Sequence, residues 1–329
     1  VVSYFFFHFL HFSLFSLFIL FMGCSSKNND PEETTPPKVD TPSVVTISQK
    51  KLFVDGNGYN IKGICYGRNG YFNYQQDIPL MQEANINTIR VYSQISDRSE
   101  LDAFHKAGIK IIMQVDYNGN YETYVRDYMT HPAILMWEVG NENNYHPDWF
   151  GGNLNNWYKK LEEVAGKIKA IDTNHPVATA HGEVPTAIAL NSCPSVDIWG
   201  MNLYRWDNNV PAINEFLARS EKPFYISEAG ADSYDTKEEK EREDLQAQAT
   251  QKILSDILSK SNVCMGVTLF SFSDEWWKAG NPSQQDTGGE APNSGGVPYD
   301  GAANEEYWGI VKHDRSKKQA FNIVKDIYN

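Results

Sequence analysis

Two glutamates stand where a folded chain can do acid–base chemistry. Glu142 closes the run Leu135-Met136-Trp137-Glu138-Val139-Gly140-Asn141-Glu142-Asn143, and Glu228 closes Phe224-Tyr225-Ile226-Ser227-Glu228-Ala229-Gly230. Each run is apolar almost to its end, as in a parallel strand covered on both faces, and then stops at a carboxylate followed by turn formers or small residues. Strand ends of this kind are where α/β barrels place their reactive groups. One such carboxylate could merely cap the next helix. Two of them, preceded by Asn141 and Ser227, point instead to a pair in which one carboxyl supplies a proton and the other attacks.

The elements that must position the pair follow from periodicity. Short apolar strands alternate with amphipathic segments, the pattern of a parallel sheet with crossover helices. Eight strands are expected, at 60–66, 88–92, 110–115, 134–141, 177–181, 197–204, 224–227 and 263–272. Helices are expected at 78–84, 100–107, 121–129, 154–171, 210–219 and 237–259, with a closing helix at 317–328; residues 182–194 and 206–214 read partly as loop. In the fourth helix Leu154, Trp157, Leu161, Val164, Ile168 and Ile171 recur every three to four residues and form one buried stripe. The fold class expected is α/β, a (β/α)8 TIM barrel, preceded by a short N-terminal β-hairpin signalled by Asp55-Gly56-Asn57-Gly58. Residues 43–329 then make one catalytic domain, and no internal repeat is visible.

Residues 1–23 are a Phe/Leu-rich block ending at Gly23-Cys24-Ser25-Ser26, and residues 24–42 are polar, acidic and Pro-rich, a flexible tether. The block resembles a bacterial lipoprotein signal, with Cys24 as the lipidated residue; it lacks a Lys or Arg near its start, and Phe21 stands where a smaller aliphatic residue is usual. The competing reading is a single transmembrane anchor. Both place the rest outside the cytoplasm, at a bacterial cell envelope. The chain of 329 residues is 41% hydrophobic, which is enough for a large core, and its formal charge of -13 without a Lys/Arg cluster argues against nucleic acid or an anionic membrane surface as a partner. Eight Trp and eighteen Tyr suit flat apolar ligands such as sugar rings as well as cores. Cys65, Cys193 and Cys264 lack metal spacing and are expected to be buried free thiols.

Cleaving an equatorial glycosidic bond with retention requires two carboxyl groups about 5–5.5 Å apart, and a barrel with Glu at the ends of its fourth and seventh strands supplies them. Trp137-Glu138-Val139-Gly140-Asn141-Glu142 and Ser227-Glu228 resemble the acid/base and nucleophile strands of glycoside hydrolase clan A. The resemblance covers most of residues 50–329. Ile61-Lys62-Gly63-Ile64-Cys65-Tyr66, Asp77-Ile78-Pro79-Leu80-Met81 and Asn87-Thr88-Ile89-Arg90-Val91-Tyr92 are similar to the opening of fungal β-1,3-glucanosyltransferases and of the family 2 barrel, and His131-Pro132-Ala133-Ile134-Leu135 leading into Asn141-Glu142 is similar to family 2. Bacterial endo-β-1,3-glucanases of families 17 and 158 are further relatives that the resemblance allows.

The resemblance implies Glu142 as general acid/base and Glu228 as nucleophile. It implies that Asn141 bonds the sugar 2-hydroxyl, that Arg90 and Tyr204 support Glu228, that His181 lines the cleft, and that Trp276 or Trp277 forms the floor under the sugar. Each supporting residue has a structural alternative. Arg90 could pair with Glu138 inside the barrel, His181 could be a core histidine, and of two neighbouring tryptophans on extended chain only one can face the cleft. Glu138, deeper in the barrel, reads as scaffold.

The activity implied is a retaining β-glycoside hydrolase on a β-glucan, with β-1,3 linkages, as a monomer needing no metal or cofactor. Alternatives are a β-glucan transglycosylase, a β-mannanase or β-galactosidase with the same dyad, and, outside enzymes, a surface glycan-binding lipoprotein. Asp274-Glu275 and His181-Gly182-Glu183 lack the spacing of a metal site, and neither a phosphate loop nor a Gly-x-Ser-x-Gly elbow occurs. Residues 280–307, a long loop after the eighth strand, are expected to wall the cleft.

Overall fold

A computed structural model describes residues 41–206, 208–291 and 299–329. The block at 1–23, Cys24 and most of the tether lie outside the described residues. Eight parallel strands close into a barrel: β1 (Ile61–Tyr66), β2 (Thr88–Val91), β3 (Lys110–Val115), β4 (Ile134–Asn141), β5 (Val177–Gly182), β6 (Ile198–Asn202), β7 (Phe224–Ala229) and β8 (Gly266–Leu269). Each of the eight expected strands is present, the last shorter than expected. Eight helices follow them in turn: α1 (Tyr74–Glu83), α2 (Arg98–Lys106), α3 (Tyr121–Tyr128), α4 (Leu154–Ile171), α5 (Ala187–Ser192), α6 (Asn209–Arg219), α7 (Glu243–Leu258) and α8 (Gln319–Tyr328).

Strand alternation sorts side chains between two environments. Ile89, Val91, Ile111, Met113, Trp137, Val139, Trp199, Met201, Phe224 and Ile226 belong to the apolar layer between barrel and helices. Their neighbours Arg90, Glu138, Tyr225 and Ser227 bond to one another or to the barrel backbone at full burial. The helix stripe forms as its spacing predicts: Trp157, Leu161, Val164 and Ile168 are buried, and Leu154 and Ile171 pack partly covered on the same core.

The expected hairpin is a three-stranded antiparallel sheet, Val45–Ser48, Lys51–Val54 and Asn57–Tyr59. Both tight turns use residues with positive φ, Gln49-Lys50 and Asp55-Gly56, matching the twist of the flanking strands. Val45, Leu52 and Val54 pack with Ile61, Ile112, Leu135 and Ile198, at or near the starts of the barrel strands, so the sheet covers the end of the barrel opposite the Glu142 and Glu228 termini.

Other boundaries moved for local reasons. Helix α1 begins before 78 because Asn73 caps it, its side chain accepting from Gln76 N. The segment expected as helix from 237 instead forms a small hairpin, Tyr234–Asp235 with Lys240–Glu241, before α7. Asp235 accepts from the backbone of Lys237 and Glu238, while Thr236 N is held by Asp300, and these bonds fix a turn where periodicity alone allows helix. Cys65, Cys193 and Cys264 are buried and free.

Trp157 is the best probe of the barrel–helix layer, being 2% exposed with its ring centroid 5.1 Å from Tyr117 and 5.2 Å from Phe150. Trp157→Ala is expected to lower the unfolding free energy by about 3–5 kcal/mol. Denaturant titration checks this, and a loss below about 1 kcal/mol contradicts the packing account.

Candidate active site

The strand that carries Glu142 breaks its own alternation. The register of β4 against β5 shifts between Glu138 and Asn141. Gly140 (φ 75°) and Glu142 (φ 53°) are both left-handed. A Cβ on Gly140 would lie 2.5 Å from the Trp157 ring and 2.7 Å from Asn143 Oδ1, so glycine is required there twice over, by conformation and by space. A bulge of this kind re-aims side chains. Its consequence is that Asn141 and Glu142, adjacent in sequence, both line the same cleft.

That cleft lies at the ends of the barrel strands. It has a volume of about 360 Å³ and is lined by Glu142, Glu228, Asn141, Tyr92, Tyr204 and Trp277, among others. The two glutamates share the cleft and live in opposite surroundings.

Glu228, 5% exposed, accepts three bonds. Arg90 Nη1 (2.7 Å) and the Tyr92 hydroxyl (2.8 Å) donate to Oε1, and the Tyr204 hydroxyl (2.6 Å) donates to Oε2. Burial and the neighbouring carboxylate Glu228 raise the Tyr204 hydroxyl well above its ordinary pKa, so it stays a donor. Glu142 accepts from Asn202 Nδ2 at 2.9 Å. Burial, and then the charge of Glu228, push its pKa up to about 7 against the smaller opposing pull of Asn202 and Arg90.

Arg90 is claimed by both of its candidate partners. Nε donates to Glu138 at 2.8 Å, Nη1 to Glu228, and Nη2 to Asn141 Oδ1 at 2.7 Å. Asn202 also donates to Asn141 Oδ1, at 3.1 Å. With its oxygen committed to two donors, the Asn141 amide presents its NH2 group as donor. Asn202 is itself aimed by Ser227 Oγ, 2.6 Å from its Oδ1. Glu138 is fully buried between Arg90 and a short bond from Tyr225 OH, as a scaffold residue would be.

The remaining expected residues divide. Trp277 is 41% exposed and lines the cleft. Trp276 stacks on His313, ring centroids 4.2 Å apart at 15°, and packs away from the main cleft. His181 does not line the cleft. It is buried beside Trp199, Nδ1 lies 3.2 Å from the Glu183 carbonyl, and burial lowers its pKa to about 4, which keeps the ring neutral. From the long loop, Ala291 and Glu305 line the cleft, as does Trp308, the residue after the loop; residues 292–298 lie outside the described residues.

Three participants were missed from sequence. Tyr92 stood two places after Arg90, just past the end of β2, and Asn202 closed β6; a polar residue at a barrel strand end was the available signal for both. Lys278, beside the tryptophans, carried no signal that separated it from an exposed lysine.

Removing one hydrogen bond to a charged group costs about 1.5–3 kcal/mol. Tyr92→Phe and Tyr204→Phe are each expected to lower kcat/KM by about 10- to 150-fold with the fold unchanged. Steady-state kinetics alongside circular dichroism checks this; wild-type kinetics in both variants contradicts the role given to the two hydroxyls.

Among solved structures, a β-galacturonidase from Eisenbergiella tayi bound to galacturonate superposes with a TM-score of 0.64 at 22% identity, covering 87% of this chain and 54% of that one. A β-D-glucuronidase from Dictyoglomus thermophilum gives 0.65 at 14% identity, covering 87% and 53%. The Bacteroides uniformis β-glucuronidase gives 0.63 at 18%, covering 87% and 37%. The chain thus spans about half or less of the length of these neighbours, and at such identity the likeness is one of fold. No curated protein sequence matches the chain significantly. The model of the glycosyl hydrolases family 2 TIM barrel domain matches residues 75–254, from α1 through most of α7 and including both Glu142 and Glu228, and the chain belongs to that family.

Proposed function

We propose that the protein is a retaining β-glycoside hydrolase in which Glu228 is the nucleophile and Glu142 the acid/base. The observation that carries this reading is one cleft holding two carboxyls in opposite environments: Glu228 bonded by a cation and two hydroxyls, Glu142 half-buried with a raised pKa. A Glu228 oxygen attacks the anomeric carbon as the bond to the leaving oxygen breaks, and the Glu142 proton passes to that oxygen. Glu142, now a carboxylate, then takes a proton from water, whose oxygen bonds the anomeric carbon as Glu228 departs. Asn141, its oxygen fixed by Arg90 and Asn202, offers its NH2 to the sugar 2-hydroxyl.

The substrate proposed is a β-glucan with β-1,3 linkages. The resemblance of Ile61–Tyr66 and of the Arg90 strand to β-1,3-glucan enzymes supports it, and so does a cleft floored by exposed Trp277 and lined by Phe270 and Trp308, apolar faces on which a pyranose can lie. A sugar hydroxyl replacing water at the second step gives a transglycosylase; lengthened products from a purified β-1,3-oligosaccharide distinguish that outcome. The apolar block ending at Gly23-Cys24 supports anchoring at the cell envelope through a lipidated Cys24.

A 2-deoxy-2-fluoro-β-glucoside with a good leaving group is expected to leave a covalent adduct on the peptide containing Glu228, read by mass spectrometry, and Glu228→Ala is expected to lose on the order of 10⁴-fold in kcat. An adduct elsewhere, or a Glu228→Ala protein that keeps its activity, overturns the assignment. The acid must hold its proton, so kcat/KM is expected to fall as pH rises through about 7. Glu142→Gln is expected to abolish that limb; an unmoved limb contradicts the role of Glu142.

A further inference from the structure

Besides Glu142 and Glu228 the cleft is lined by two further glutamates, Glu275 and Glu305, both held on one lysine. Lys278 Nζ lies 3.0 Å from Glu275 Oε2 and 3.3 Å from Glu305 Oε2, with its side chain 13% exposed. Its ammonium sits 4.1 Å from the centroid of the Phe270 ring. Phe270 in turn meets Tyr92 and Tyr204 edge-on, at 6.5 and 6.2 Å. These are the two tyrosines that donate to Glu228, so Lys278 stands one aromatic layer from the nucleophile.

Glu275 is locked in place from the other side. A Cβ on Gly67 would fall 1.5 Å from Glu275 Oε1, so the carboxylate occupies the space that only a glycine at 67 leaves open. The arrangement joins two connections, the one after β1 (Gly67) and the one after β8, which carries Glu275 and Lys278 near its start and Glu305 towards its far end.

The charge balance is decisive. The charged groups that line the cleft are Arg68 and Lys278 against Glu228, Glu275 and Glu305, with Glu142 holding its proton and the tyrosines neutral. Arg68 is committed to Glu100 through two bonds of 2.9 and 2.8 Å. Lys278 is outnumbered by its two carboxylates. Arg90, beneath the site, spends its donors on Glu138, Glu228 and Asn141. The sequence at 292–298 contains no Lys or Arg. Among the described residues, an anionic sugar entering this cleft meets carboxylates, and every cation lining it is already paired.

We infer that the Glu275, Lys278 and Glu305 cluster is a charge filter that admits uncharged sugars and rejects uronic acids, the sugars named for the solved neighbours. Specificity of this kind rests on a repulsive element as much as on an attractive one. The inference rests on the reading of the cleft as a glycosidase site and names its substrate class.

The test compares kcat/KM of the full chain on p-nitrophenyl β-glucoside and β-galactoside with that on the corresponding glucuronide and galacturonide, which differ only in oxidation at carbon six. The neutral member of each pair is expected to be preferred by at least about 100-fold. Glu305→Gln and Glu275→Gln, each measured at its own optimal pH because Glu305 also helps to raise Glu142, are expected to narrow that ratio by about 10-fold or more as Lys278 is released from one partner. Lys278→Met is expected to leave the uronides excluded.

Calorimetric binding of D-glucono-1,5-lactam and D-glucaro-1,5-lactam reads the same discrimination without turnover. If no glycoside is hydrolysed, the glycosidase reading fails while the lactam pair still judges the filter. Better use of a uronide, tighter binding of the glucaro-lactam, or a ratio unchanged in both glutamine variants overturns the inference.

Discussion

A buried guanidinium holds this site together. Arg90 is fully buried within the barrel, where an unpaired charge would be prohibitive. Its bonds to Glu138, Glu228 and Asn141 tie β2 to β4 and β7 at the level where the chemistry sits. The geometry of the fork matters, because one planar cation with five donors can hold three acceptors in fixed relative positions, which a lysine could not. Glu138 therefore serves the cleft as scaffold: it anchors Arg90 from below and is itself anchored by Tyr225.

From that anchor follows the inequality between the two glutamates. Glu228 receives the guanidinium and two tyrosine hydroxyls, whereas Glu142 receives one amide and faces the charge of Glu228 across the cleft. The donors gather on Glu228, while Glu142, raised by burial and by the charge of Glu228, holds its proton. The strained strand end, with left-handed Gly140 and Glu142, brings Asn141 and Glu142 to the same side and lets Asn202 bond both.

Much of this was legible in the order of residues. The barrel strands are apolar runs between breakers, a signal that tertiary contacts do not override, and Glu142 and Glu228 stand out because a carboxylate ends an otherwise apolar run. Contacts from distant segments were not legible. The 234–241 hairpin depends on Asp300, and the division of labour between Trp276 and Trp277 is decided by His313. The choice posed for Arg90, Glu138 or Glu228, had no single answer, because one fork serves both. His181 stands at a strand end as an active-site residue would, yet its ring is buried beside Trp199. Lys278 could not be ranked from sequence, since its importance lies in Glu275, Glu305 and the absence of a side chain at Gly67.

The central claim is that the family 2 barrel keeps Glu142 protonated near neutrality through burial and the charge of Glu228. The most direct measurement is a carbon-13 carboxyl titration of Glu142 in protein labelled at glutamate, resolved by comparison with Glu142→Gln. The account predicts a midpoint near 7 that falls in Glu228→Gln, where the like charge is gone. A midpoint in the ordinary glutamate range of about 4.3, or one indifferent to Glu228→Gln, would contradict it.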